Sequence, residues 1–359
     1  MVYCPVDPVE AAKNVQLYFD QDGRYLTEGF VGNGNEGHVY KLKTTNQEAE
    51  TRRFILKIPF VADDDVAVPA RRNFLTEEAA LKALKSAMHV VNEFDILGDP
   101  LEKPVPGATS IIKGWVYMEW LENGTLDQFA NRAKTRPTPL PNRLIWRLLM
   151  CIIRMHIALA WPTRYATGDI QLETIEEEHP EFVLYNPDVH SANVMFGHFP
   201  SDGPLEHELT PILKMIDLGG VEKRPTPTLS AWDAAIQKLL EFLYQELEPL
   251  LLAGRGPDVL LRDEPTLDKD LYRLVDPSMG SGSAAPTSLQ LMEQVAMEAI
   301  RARTAAWYRE NHPQSNLNET DEAVMRIVRE LLFEPDDSRD DENDEIEAII
   351  EGIRSLVIQ

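Results

Sequence analysis

Cysteine is almost missing from this chain: Cys4 and Cys151 are the only two. A pair so far apart makes neither a disulfide framework nor, by itself, a zinc site, and a reducing compartment, cytoplasm or nucleus, is expected. Long hydrophobic runs are missing too. No stretch reaches the roughly 18 to 20 apolar residues that span a bilayer, so no membrane partner is expected. The opening MVYCPVDPVEAAKN has neither the basic start nor the apolar middle of a secretory signal. Positive charge is scarce: 35 Lys and Arg stand against 59 Asp and Glu, a formal net charge of -24. Such a chain repels a phosphate backbone, which argues against nucleic acid as a partner. Any phosphate ligand must be held by local devices, namely backbone amides, a lysine or two, and metal ions.

What is present falls into two halves. Residues 7–20 read as a short helix with Asp7 as its N-cap. RYLTEGFV and HVYKL within 24–42, and RRFILKIPF at 52–60, read as strands, with the polar KTTNQEAET as a hairpin loop. Phe74, Leu81 and Leu84 give 70–88 a helical pattern. Two apolar runs in 89–120, VVNEFDIL and SIIKGWVYMEW, suit strands. After Gly124 the pattern turns helical. Leu144–Ala160 is almost wholly apolar, as in a helix buried at the centre of a domain. Short β-type runs follow at 182–184, 194–196 and 212–216, and from Trp232 the chain reads as helix again, broken by the low-complexity 279–288. Strands first and helices later predict an α+β chain with a small β-rich part and a larger helical one. Residues 334–347 are too acidic to pack and read as a solvated linker before a last short helix. No internal repeat is found.

Four segments carry chemistry. Gly32, Gly34, Gly37 and Val39 fit G-x-G-x-x-G-x-V between two strands, a context that disfavours a dinucleotide turn, whose third glycine opens a helix. It suits a hairpin laid over ATP phosphates, with a plain surface hairpin as the competing reading. Lys57 closes the apolar run Phe54-Ile55-Leu56, where a lysine could reach α- and β-phosphates or simply be a solvated strand end. Twenty residues on, Glu77 could hold that amine toward a nucleotide, with Glu78 the rival and an exposed first-turn glutamate the bland reading. Asp188 and Asn193 lie in YNPDVHSANVMF, either a D-x-x-x-x-N catalytic loop before an apolar strand or an Asx-rich turn. Asp217 ends the strand Lys214-Met215-Ile216, placed to bind Mg2+ or merely to start a turn.

The segment around Asp188 resembles the catalytic loop of protein kinases, and the four segments, with Val116–Leu126 as a fifth, occur in the kinase order over about 29–245. The resemblance implies a bilobal protein-kinase-like fold, with a β-rich N-lobe holding one main helix and a mostly helical C-lobe. Its divisions would be an extension at 1–28, the N-lobe and hinge at 29–121, the C-lobe at 122–333, and an acidic linker with a short helix at 334–359. It implies ATP and Mg2+ as cofactors, Asp188 as the group that orients or deprotonates an acceptor hydroxyl, and Asn193 and Asp217 as metal ligands. Asp217-Leu218-Gly219 resembles D-F-G. Val116–Leu126 resembles a kinase hinge, with Met118 as gatekeeper and Glu119–Leu121 offering hydrogen bonds to adenine.

The departures are informative. Asn186-Pro187 replaces the family's His-Arg, and His190 stands where Ser/Thr kinases have lysine. The 220–229 segment is short and no A-P-E follows. Inserts occur at about 163–180 and 198–211. These traits resemble divergent or atypical kinases, including those of the aminoglycoside phosphotransferase and choline kinase type, and kinase-like proteins of filamentous fungi. The implied activity is transfer of the ATP γ-phosphate to a hydroxyl of an unspecified protein or small molecule. The alternative is a pseudokinase that binds nucleotide or acts as a scaffold. The acidic tail after Phe333 is either a solubilising end or a segment for a protein partner.

Overall fold

The structure, a computed structural model, describes residues 8–33, 37–45, 51–59, 67–103, 105–106, 114–178, 180–200, 203–226, 229–255, 260–275, 288–315 and 318–333. Asp7, Gly34, most of the low-complexity 279–288 segment and the whole 334–359 tail lie outside the described residues. The chain is α+β: a small antiparallel sheet of four strands is followed by a helical C-terminal part. It divides into two units, one made of residues up to Lys82 with Asn92–Trp120, the other of Ala83–Val91 with Leu121–Glu334.

The first unit begins with α1 (Pro8–Asp22), followed by β1 (Tyr25–Asn33), β2 (Gly37–Thr44), β3 (Arg53–Pro59), α2 (Ala67–Ala83) and β4 (Val116–Glu119). The strands pair antiparallel in the order β1-β2-β3-β4. On α1, Ala11, Val15, Tyr18 and Phe19 fall at i, i+4, i+7 and i+8, one helical stripe. That stripe is buried with Tyr40 and Leu42 of β2 and Phe54, Leu56 and Ile58 of β3. Side chains alternate along a strand, so Ile55 and Lys57 face the other side of the sheet. The helix read as an N-terminal extension is thus part of this core and leaves the opposite face of β3 to Lys57. Asp99 closes the unit by accepting hydrogen bonds from Trp115 Nε1 and the Tyr117 hydroxyl, both at 2.7 Å.

One expected strand is not formed. The run VVNEFDIL at 90–97 makes only isolated bridges, Val90 to Met215 and Glu93 to Met118. Val91 N–H donates to Met215 and Phe94 N–H to Tyr117. The chain passes from the second unit back to the first between Val91 and Asn92, so its backbone bonds are shared between two partners and no continuous ladder develops.

The second unit contains α3 (Leu126–Lys134), α4 (Asn142–Ala160), β5 (Phe182–Tyr185), β6 (Val194–Phe196), β7 (Leu213–Met215) and β8 (Glu222–Pro225). Helices α5 (Leu229–Phe242), α6 (Glu248–Leu252), α7 (Lys269–Val275), α8 (Leu289–Ala302), α9 (Ala305–Asn311) and α10 (Asp321–Phe333) complete it. A π-helical stretch, Leu243–Leu247, joins α5 to α6. Thr125 starts α3 with a reciprocal cap, its hydroxyl accepting from Gln128 N–H and the Gln128 side chain accepting from Thr125 N–H. The strands form two separate antiparallel ribbons, β5–β8 and β6–β7.

Every residue of α4 is buried, including Arg143, Arg147, Arg154 and His156. A buried charge is costly unless paired: Arg143 reaches Asp321 at 2.6 Å, and Arg154 binds Glu206 at 3.0 Å and also Glu293, while Arg147 donates to the Arg143 carbonyl at 3.2 Å and burial lowers its pKa to about 10. Trp146 Nε1 and the Tyr308 hydroxyl both donate to Asp268 at 3.0 Å. The arginines also set α4 apart from a bilayer helix; among the described residues no helix is long and apolar enough to cross a membrane.

Candidate functional site

In the first unit Val39, Lys57 and Met118 lie on the face of the sheet opposite α1. Lys57 lies in β3 across from Val39 of β2 and Val116 of β4, and residues directly opposite in a ladder share a face. Its Nζ is 2.7 Å from Glu77 Oε2, and both side chains are nearly sealed from water. Glu77, rather than Glu78, makes this contact; Glu78 instead pairs along the helix with Lys82 at 2.5 Å. A lysine at a solvated strand end would be exposed, whereas Lys57 is 7% exposed. Removing water strengthens the Lys57–Glu77 attraction but makes each charge costly without the other. The pair therefore fixes the direction of the Lys57 stem.

The glycines of the first motif have different reasons for being glycine. A Cβ on Gly37 would lie 2.1 Å from the carbonyl oxygen of Ile58, so the close pairing of β2 and β3 excludes any side chain there. A Cβ on Gly32 would meet nothing within 4 Å, so packing does not demand glycine at that position. Gly32 follows an irregularity in the β1–β2 register between Phe30 and Gly32. Met118 is buried across from Ile55. The Glu119 carboxylate accepts from Asn92 N–H at 2.8 Å, and the backbone N–H of Glu119 donates to Asn92 at 3.0 Å. Leu121 is buried at the start of the second unit's longer segment.

In the second unit, β6 and β7 form a three-pair ribbon that brings Asn193, just before β6, beside Ile216, just after β7. Ile216 N–H donates to the Asn193 carbonyl at 2.9 Å. The Asn193 side-chain amide donates to the Asp188 carbonyl at 3.0 Å and to Asp188 Oδ2 at 3.3 Å. An Asx turn is also present, with Asp188 N–H donating to Asn186 Oδ1 at 3.0 Å. The two readings of this segment are therefore compatible: the turn built by buried Asn186 is what presents Asp188. The Asp188 carboxylate is 65% exposed, and His190 Nε2 lies 3.6 Å from its Oδ1.

Asp217 has φ +56°, alone in positive φ among the described non-glycine residues. The left-handed region is costly for an L-residue, and aspartate tolerates it better than most. Such strain persists only where surroundings impose it, and it concentrates at functional sites. Here the residues on either side impose it, because Ile216 is tied to Asn193 and Leu218 is fully buried. The turn then continues to Gly220, whose added Cβ would come within 3.9 Å of Pro187, Asn186 and Asp188. Asp188, Asn193 and Asp217 thus belong to one hydrogen-bonded and packed corner.

Two features were not visible in the sequence. Glu222–Pro225, within the 220–229 segment, form β8, which pairs with β5, and Lys223 and Arg224 stack over Phe182 and Tyr185. His89, Cys151 and His207 come together although more than fifty residues separate each from the next, and no spacing pattern marks them. No family model and no curated protein matches this chain.

Proposed function

We propose that this chain is an ATP- and Mg2+-dependent phosphotransferase with a bilobal protein-kinase-like fold, moving the γ-phosphate to a hydroxyl of a protein or small molecule. The observation that carries this reading is the corner in which a strained Asp217 follows a strand tied to Asn193, itself bonded to Asp188. A metal-binding carboxylate and amide must be pre-placed, and the unusual backbone of Asp217 is the kind of cost a fold retains for such a purpose.

Phosphoryl transfer needs mainly positioning and charge neutralisation. Lys57, aimed by Glu77, offers a cation to the phosphates, and the backbone at Gly32 and Gly37 offers amides. Asn193 Oδ1 and the Asp217 carboxylate are the atoms suited to Mg2+, since the Asn193 amide nitrogen is engaged by Asp188. When bound, Mg2+ neutralises charge on the β- and γ-phosphates. Asp188 is exposed and oriented by both Asn186 and Asn193, as a group that accepts the proton of an acceptor hydroxyl should be. Met118 and Glu119–Leu121 are assigned to adenine.

A pseudokinase is the second reading. It is favoured by Pro187 in the family's arginine position and by His190, which lies against the Asp188 carboxylate. One experiment separates the two. Asp188→Asn is expected to abolish release or transfer of the γ-phosphate while leaving Mg-ATP binding nearly intact, because its charge matters most in the transition state. Asp217→Asn is expected to weaken Mg-ATP binding itself. Wild type that binds Mg-ATP but shows no turnover on proteins, sugars, amines or water would make the chain a pseudokinase. Full turnover by Asp188→Asn would overturn the assignment of the loop.

A further inference from the structure

His89, Cys151 and His207 form a buried cluster that the phosphotransfer chemistry does not use. His89 lies in the turn after α2, Cys151 at the middle of α4, and His207 in the short helical turn Leu205–His207. All three are essentially sealed from water, and one ligand atom from each lies within 4.8 Å of the others. The two imidazoles approach through their Nε2 atoms, 3.0 Å apart, with ring planes 35° from parallel. Two histidine nitrogens bound to one zinc at about 2.0–2.1 Å each must lie close together in this way.

The surroundings suit an ion. His89 Nδ1 is 2.6 Å from Glu173 Oε2, and His89 N–H donates to Glu173 Oε1 at 2.7 Å. A carboxylate on the far nitrogen is the usual outer partner of a metal-binding histidine, fixing its tautomer and leaving Nε2 for the metal. The charges also balance: a divalent cation, one thiolate and the Glu173 carboxylate sum to zero, and the histidines stay neutral. Arg154, which contacts the Glu173 carbonyl, is offset separately by Glu206 and Glu293.

Glu173 and His207 lie in the inserts near 163–180 and 198–211, the two segments for which phosphotransfer offers no use. We propose that His89, Cys151 and His207 bind a zinc-type divalent cation, with Glu173 as outer partner, and that this ion pins both inserts to α4. Two imidazoles and a thiolate are the donor set that zinc prefers over magnesium or calcium. Burial of all three side chains keeps the ion away from substrate, and the three protein donors leave the fourth position of a tetrahedral zinc to a water. Without the ion, burial opposes a charged imidazole at His89, and Glu173 and Cys151 outweigh it to hold the pKa above the usual value.

The test uses the full chain. Elemental analysis of purified protein should find about one zinc per chain, and Cys151→Ser and His207→Ala should each lose it. Protein unfolded in chelator and refolded with Co2+ should show a thiolate-to-cobalt charge-transfer band and the strong visible bands of tetrahedral cobalt. Cys4 is the only other cysteine, so loss of the band in Cys151→Ser and its retention in Cys4→Ser assign the ligand. If Cys151→Ser does not fold, the cobalt spectrum of Cys4→Ser alone decides. Wild type that carries no zinc, takes up none on refolding with Zn2+ and gives no cobalt–thiolate band would overturn the proposal and leave a hydrogen-bonded histidine pair in its place. Retention of zinc by both Cys151→Ser and His207→Ala would also overturn it.

Discussion

Replacing Gly37 by alanine should damage the fold even if no nucleotide ever binds. The added Cβ would stand 2.1 Å from the Ile58 carbonyl oxygen, 2.8 Å from its carbon and 2.9 Å from Pro59 Cα. The first contact is nearly 1 Å inside the 3.0 Å limit that Cβ atoms respect. All three atoms are backbone of the paired strand, so no rotamer change relieves the clash. The strands must part where Gly37 faces Pro59 and His38 faces Ile58. Overpacking of this kind costs about 1–3 kcal/mol, and a weakened ladder hydrogen bond adds about 1 kcal/mol. A total near 3 kcal/mol corresponds to roughly 100-fold faster opening of the ladder. Amide hydrogen exchange of β2 and β3 measures it. Gly32→Ala is the control: with nothing within 4 Å of its Cβ, stability should stay within about 0.5 kcal/mol, while Mg-ATP protection falls if the Gly32 backbone lies against phosphates. Ladder amides that exchange at wild-type rates in Gly37→Ala would refute the steric account.

Mg-ATP at a hundredfold excess over its dissociation constant should stabilise wild type by about 2.7 kcal/mol, and Lys57→Ala should lose most of that thermal shift; an equal shift in both would remove Lys57 from the phosphate site. Arg154→Met leaves Glu206 buried without its cation and should destabilise by about 3–5 kcal/mol in urea denaturation, a cost that a near-neutral result would contradict. Burial holds the His156 pKa down at about 4, assisted by the nearby Lys238 and opposed by its hydrogen bond to Ile152. Because the unfolded imidazole titrates near 6.5, the stability from keeping His156 neutral is complete above that pH and is lost as pH falls toward 4. From pH 7 to 5 the wild type should lose about 2 kcal/mol more than His156→Gln, and parallel pH profiles would show that the imidazole is not sealed. Turnover should not depend on phosphorylation of the 220–231 segment, so alanine at Thr226 and at Thr228, the latter outside the described residues, should leave rates unchanged; silencing by phosphatase would refute this.

How much could be read in advance depended on how local the signal was. The helical stripe of α1, the β1–β3 meander and the apolar α4 announced themselves because period and burial agree within each segment. Lys57 and Glu77 were found because a β-strand ending in lysine and a helix carrying glutamate follow each other in order. Glu77 was read over Glu78 from the sequence, and the Lys57–Glu77 contact agrees with that choice. The 90–97 run misled because its apolar residues serve two units, and composition does not record which partner a residue meets. β8 was missed because Glu222-Lys223-Arg224 is charged; its strand is held by pairing to β5 and by cations over aromatic rings, neither visible in hydrophobic pattern. The strain at Asp217 is likewise a property of its surroundings.

The division of the chain has a consequence for any attempt to take it apart. The second unit borrows nine residues, Ala83–Val91, from within the sequence of the first. That graft brings Val91, which pairs with Met215, and His89, whose Nδ1 lies 2.6 Å from Oε2 of the buried Glu173. A fragment beginning at Leu121 would hold every residue of the Asp188 corner yet lack its neighbouring backbone donor, and it would strand a carboxylate in an apolar interior. The halves are therefore braided rather than joined end to end, and a single cut at residue 120 cannot release an intact second unit.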